Sequence, residues 1–77
     1  MKFTDYFQHT RERPDRKQIK IEWIRQVVEN PEFEHIQEDG RFRRWAFIEE
    51  AGKYLRVVVL EDNLTIHNAF FDRDFNK

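Results

Sequence analysis

A chain of 77 residues makes one domain, spanning 1–77, near the lower size limit for a self-sufficient core. It contains no cysteine and no serine, which excludes a disulfide framework, a thiolate zinc site and the usual nucleophilic-hydrolase arrangements. Charged residues make up 38% of the chain, yet the net charge is −1, so it lacks the basic excess of a general duplex binder and must meet any polyanion locally.

Residues 1–6 lack the apolar stretch of a signal peptide, and no apolar run approaches the roughly 20 residues of a membrane helix. The expectation is a cytoplasmic protein with no membrane partner. Thr4 or Asp5 can cap a short helix that runs to Arg13, where Pro14 disfavours helical geometry in the residue before it. A second helix is expected over 19–29, with Ile21, Ile24, Val27 and Val28 at helical spacing and Trp23 beside them. Asn30-Pro31 ends it, because proline cannot continue the hydrogen-bond ladder.

From there the period changes to that of strands. A short strand is expected over 33–38, then an Asp39-Gly40 two-residue hairpin turn. Further strands follow over 41–49, 54–61 and 64–71, separated by turns at 50–53 and at Asp62-Asn63. The expected fold is α+β: two N-terminal helices packed on one face of a four-stranded antiparallel meander.

Directly opposed residues share a face. A two-residue turn at Asp62-Asn63 puts Val59 opposite Ile66, Val57 opposite Asn68 and Leu55 opposite Phe70, and the turn at 50–53 puts Val57 opposite Ala46. That face should lie under the helices. The other reads Tyr54, Arg56, Val58, His67, Phe47, Trp45, Arg43 and Ile36, with Ala69 and Phe71 opposed to it on the last strand. A one-residue slip in register would exchange the two faces. Asn68 and Arg44 break the apolar pattern of the covered face and read as anchors for a helix end or a turn.

The charge is uneven. Lys2, Arg11, Arg13, Arg16, Lys17 and Lys20 face three acids in residues 1–20, and Arg41, Arg43, Arg44, Lys53 and Arg56 face two in residues 41–56. A face that mixes arginines with aromatics suits unpaired RNA, since rings stack on bases and guanidinium groups bind phosphate. Trp45 is the candidate stacking residue, and Arg13, Arg43 and Arg56 are candidates for holding phosphate and stabilising transition-state charge. Equally, the chain's own termini, through Phe71, Phe75 and the tail, can cover Trp45 and Phe47. His9 and His67 are the candidate acid–base pair, because imidazole titrates near neutrality and RNA cleavage needs one base and one acid. His9 and Arg13 sit four apart on the first helix and project from one side. Each histidine also reads as an ordinary surface or sheet histidine. The spacing of His9, His35 and His67 matches no metal-ligand motif, and no cofactor is expected.

Several short motifs, taken together, resemble those of the small DUF4258 proteins, which are similar to BrnT and RelE-type toxin ribonucleases. They are His9-x-x-x-Arg13, the Ile/Trp-rich helix ending in Val28-Glu29-Asn30-Pro31, Asp39-Gly40-Arg41 and Leu55-Arg56-Val57-Val58-Val59. The resemblance implies a RelE-like sheet, an RNA substrate and a cognate antitoxin protein as partner. It adds Arg16 to the RNA-binding residues, through a small shift, and the chain departs from the pattern at Pro14-Asp15-Arg16-Lys17. The leading expectation is a toxin-type ribonuclease using metal-independent acid–base chemistry. The alternative is a non-catalytic protein- or RNA-interaction module, for which a homodimer is a natural state.

Overall fold

The structure is a computed structural model that describes residues 1–75. Its first element is a strand absent from the sequence expectation: β1 (Lys2–Phe3) pairs in parallel with β5 (Thr65–Phe71). Between them in the chain come α1 (Asp5–Thr10), α2 (Ile21–Glu29), β2 (Phe33–Ile36), β3 (Phe42–Ile48) and β4 (Lys53–Val59). The sheet runs β1-β5-β4-β3-β2 and is mixed. The α+β class therefore stands, but the four-stranded antiparallel sheet is corrected to five strands. Two residues are too few to show a strand period, so β1 left no pattern to read.

Thr4 caps α1, its hydroxyl oxygen accepting from Phe7 N at 3.1 Å. The helix stops at Thr10 rather than Arg13. Turns continue to Ile19, which is buried, and the stretch between covers the edge of β5 beyond the short β1. Arg16 completes that cover by donating from Nη1 to the carbonyl oxygen of Ala69 at 3.3 Å. An edge carbonyl that would otherwise be open to another strand is thereby occupied. On α2, Ile24 and Val27 are buried as the spacing predicts, and Ile21, Trp23 and Val28 pack around them.

The core lies between the helices and the sheet. It contains Phe7, Ile24, Val27, Ala46, Ile48, Leu55, Val57, Val59, Ile66 and Ala69. Arg44 is on this side, 7% exposed at its rim. Its guanidinium donates to Glu34 Oε2, to Asn63 Oδ1 in the β4–β5 turn, and to the Val28 carbonyl in the last turn of α2. It thus ties a helix end to a turn.

All three antiparallel registers differ from expectation. The β3–β4 pairing is displaced by two residues, with Ala46 opposite Leu55 and Trp45 opposite Arg56. The displacement is even, so every β3 and β4 side chain keeps its face. The β2–β3 pairing is displaced by one residue, because the turn is longer than the two residues expected, so Ile36 lies opposite Phe42 and not on the open face. Gly40, at φ 89°, follows an i to i+3 bond from Gly40 N to Gln37 O, which fits a three-residue connection better than the primed turn.

The β4–β5 pairing is changed more deeply. Val59 opposes Ile66 as expected, but Val58 opposes Asn68, so His67 is an extra residue in a β-bulge. Beyond it the faces exchange. Ala69 and Phe71 join the core side, and Asn68 and Phe70 join the open side, the reverse of the sequence expectation. Among the described residues no helix is long and apolar enough to cross a membrane.

Candidate nucleic-acid interface

The open face carries Arg43, Trp45 and Phe47 on β3, Tyr54, Arg56 and Val58 on β4, and Asn68 and Phe70 on β5. The bulge is what brings Phe70 here. Two guanidinium groups lie over its ring, Arg56 centred 5.1 Å and Arg16 5.2 Å from the ring centroid. Arg16 donates from Nη1 to Asn68 Oδ1 at 2.8 Å and from Nε to Asp15 Oδ2 at 3.3 Å. A guanidinium has five N–H donors. Among the described residues these bonds use Nη1 and Nε, and none uses Nη2.

Arg56 also lies 5.7 Å from the centre of the Trp45 ring and 3.9 Å from Asp72 Oδ2. Its Nε is buried with no acceptor among the described residues. Loss of solvent, and then the charge of Arg43, hold its pKa below the ordinary arginine value, while Asp72 pulls the other way. An anion bound here would oppose that depression by its charge, as Asp72 does.

His67 stands at the edge of this face. Its Nδ1 is 3.1 Å from Thr4 Oγ1, and the Tyr6 ring stacks on it with centroids 5.0 Å apart. Tyr6 is 51% exposed, so one side of this pair is open to a ligand. Burial first, and the charge of Arg41 second, lower the His67 pKa from its ordinary value. The depressed value sets the sign of a stability effect. The unfolded chain takes up the proton more readily, so stability is full above about pH 6.5 and is lost as pH falls from there toward the folded-state pKa. His67→Gln should flatten the decline in melting temperature between about pH 7.5 and about pH 5.5. Parallel melting curves for the two proteins would assign the decline to other groups.

The other candidates are spread differently. His9 and Arg13 are exposed, and among the described residues no hydrogen bond or ring contact joins His9 to His67. His9 does sit one helical turn from Tyr6, on the same side of α1. Arg43 is half-buried in the middle of the sheet. Trp45 is only 9% exposed, because Phe75 stacks on it and Asp72 accepts from its Nε1 at 3.0 Å. The tail does cover this ring, so Trp45 offers no open platform in this conformation.

Two hollows flank the face and differ in charge. The larger, about 650 Å³, is lined by Glu32, Glu49 and Glu50 with Gln26, Phe47 and Tyr54. The smaller, about 360 Å³, is lined by Arg16, Lys53 and Arg73 with Asp15, Phe70 and Phe71. A polyanion fits the smaller one, which continues the Arg16–Phe70–Arg56 row. Sequence reasoning missed Phe70, Thr4, Tyr6 and Asp72. One signal was present: His67-Asn68 puts two polar residues side by side in an otherwise apolar strand, as a bulge allows and strict alternation does not. Comparison with protein-family models, with curated proteins and with solved structures returns no match, so the site rests on its own geometry.

Proposed function

We propose that this protein binds single-stranded RNA across its open face and cleaves it by metal-independent acid–base chemistry, as a toxin-type ribonuclease. The observation that carries this reading is the Arg16–Phe70–Arg56 stack, with Arg43 beside it and His67 at its edge. It offers cations for phosphate, a ring near the bases and an imidazole that stays neutral at physiological pH.

In this role His67 is the general base. With Nδ1–H donating to Thr4 Oγ1, the lone pair of Nε2 is free to take the proton of a ribose 2′-hydroxyl. Arg56 and Arg43 neutralise charge that develops on the phosphorane. His9 is the candidate acid for the leaving oxygen, reaching the site past Tyr6. The motif resemblance to DUF4258 and BrnT-like proteins supports the toxin reading and brings with it an antitoxin protein as partner.

A salt titration tests the RNA reading. Three phosphate contacts, from Arg16, Arg43 and Arg56, give a log–log slope of about −2, so affinity for single-stranded RNA should fall about 20-fold over a fourfold rise in salt. Arg43→Gln should make the slope shallower by about 0.7. Affinity that is flat with salt, or no binding, overturns the reading.

A second reading is a non-catalytic interaction module of the same fold. It is favoured by one observation, that among the described residues no hydrogen bond or ring contact joins His9 to His67. Salt-dependent binding without cleavage in metal-free buffer selects it.

A further inference from the structure

After β5, residues 72–75 turn back over the open face. The Asp72 amide donates to the Tyr54 carbonyl oxygen at 3.0 Å. The Asp72 carboxylate accepts from Trp45 Nε1 at 3.0 Å and lies 3.9 Å from Arg56 Nη1. Three residues on, the Phe75 ring stacks on Trp45, with centroids 4.9 Å apart and planes 19° from parallel. Phe33 and Tyr54 close the sides of the slot, 5.2 and 5.0 Å from the Phe75 centroid.

Within four residues the segment therefore presents a flat ring to an indole and an anion to an arginine. A nucleotide presents the same two groups, a base and a phosphate. Most ring pairs among the described residues are tilted or edge-on, while this one lies nearly parallel, as a base on tryptophan would. The fit is also incomplete in a telling way. At 3.9 Å the carboxylate is beyond hydrogen-bond range of Arg56. The buried Arg56 Nε has no acceptor at all among the described residues. A phosphate has more acceptor oxygens than a carboxylate and can serve Trp45 Nε1 and Arg56 together.

We infer that the slot between Trp45, Phe33, Tyr54 and Arg56 is a subsite for one base and its phosphate, and that residues 72–75 occupy it until RNA displaces them. This rests on the RNA reading above. The segment is then a competitor in cis, and the affinity of the intact chain is lowered by the fraction of time the slot is filled.

The test uses the full chain carrying Trp23→Phe, so that Trp45 is its only tryptophan. Phe75→Ala should raise acrylamide quenching of Trp45 and tighten binding of a short single-stranded RNA about tenfold. RNA should then protect Trp45 from the quencher again. Asp72→Asn should tighten binding by a smaller factor, since it removes the charge that competes for Arg56. Where Phe75→Ala does not fold, Phe75→Leu keeps an apolar cover with weaker stacking and should shift affinity the same way. If RNA binds but Phe75→Ala and Phe75→Leu leave its affinity unchanged or weaker, the subsite is refuted and the RNA reading survives. If neither the parent nor the variants bind RNA, the RNA reading fails and the subsite falls with it.

Discussion

Replacing Arg44 with alanine should lower stability by about 3 kcal/mol, the size expected when one partner of a buried charge network is removed. The side chain is the meeting point of three segments. Its Nε pairs with Glu34 on β2 at 2.6 Å, Nη2 with Asn63 in the β4–β5 turn at 2.6 Å, and Nη1 with the Val28 carbonyl at the end of α2 at 3.5 Å. It also lies 4.8 Å from the centre of the Phe42 ring. Alanine leaves a helix-terminal carbonyl and a turn side chain without their donor, and a space where the stem packed. Glu34 keeps 38% of its side-chain exposure, so water can compensate it, which holds the cost to the lower end of the range. A chain of this size has roughly 4–12 kcal/mol in total. The loss should appear as a fall of about 12–24 °C in melting temperature. Arg44→Met with Glu34→Met should return most of it, because replacing both charges with apolar groups removes the unpaired partner. A single alanine variant that melts within a few degrees of the parent would show that the network contributes little.

His67→Ala should reduce RNA cleavage about 10²-fold in kcat while leaving RNA affinity close to the parent's. The split matters. A phosphate-binding residue such as Arg43 would weaken binding, whereas a base acts only as the 2′-hydroxyl proton departs. His67→Gln sharpens the comparison, since the amide can keep a hydrogen bond to Thr4 Oγ1 but cannot accept the proton. Burial and Arg41 both depress the His67 pKa, so the base form persists below about pH 6.5. The acid limb of kcat/KM should therefore lie on the acidic side of that value, and His67→Gln should abolish it. Undiminished cleavage after His9→Ala and His67→Ala together would remove acid–base catalysis by either histidine.

The elements that carry a strong period could be read in advance. Ile24 and Val27 on α2, and Leu55, Val57 and Val59 on β4, are buried as their spacing requires. Even the wrong β3–β4 register preserved its faces, because the error was an even number of residues. Arg43, Trp45 and Arg56 were therefore assigned to the right side of the sheet. What failed was β5, where one unpaired residue reverses everything after it. Phe70 went to the wrong face for that reason, and with it the stack that organises the site. The partners of His67 were illegible for a different reason: Thr4 and Tyr6 are 63 and 61 positions away along the chain, and no local pattern joins them to it.

That separation has a kinetic side. The β2–β5 meander is built from neighbours in sequence, so its closure costs little chain entropy. The seam between β1 and β5 joins Lys2 to Thr65 and Phe3 to Ile66 with two residues on one side. Ordering nearly the whole chain to gain so short a ladder is expensive, and the seam comes together after the meander. For the same reason its opening costs less than opening the meander. The ring of His67 is fixed by Thr4 at the end of that seam, so the imidazole is set in place after the meander and freed from Thr4 when the seam opens.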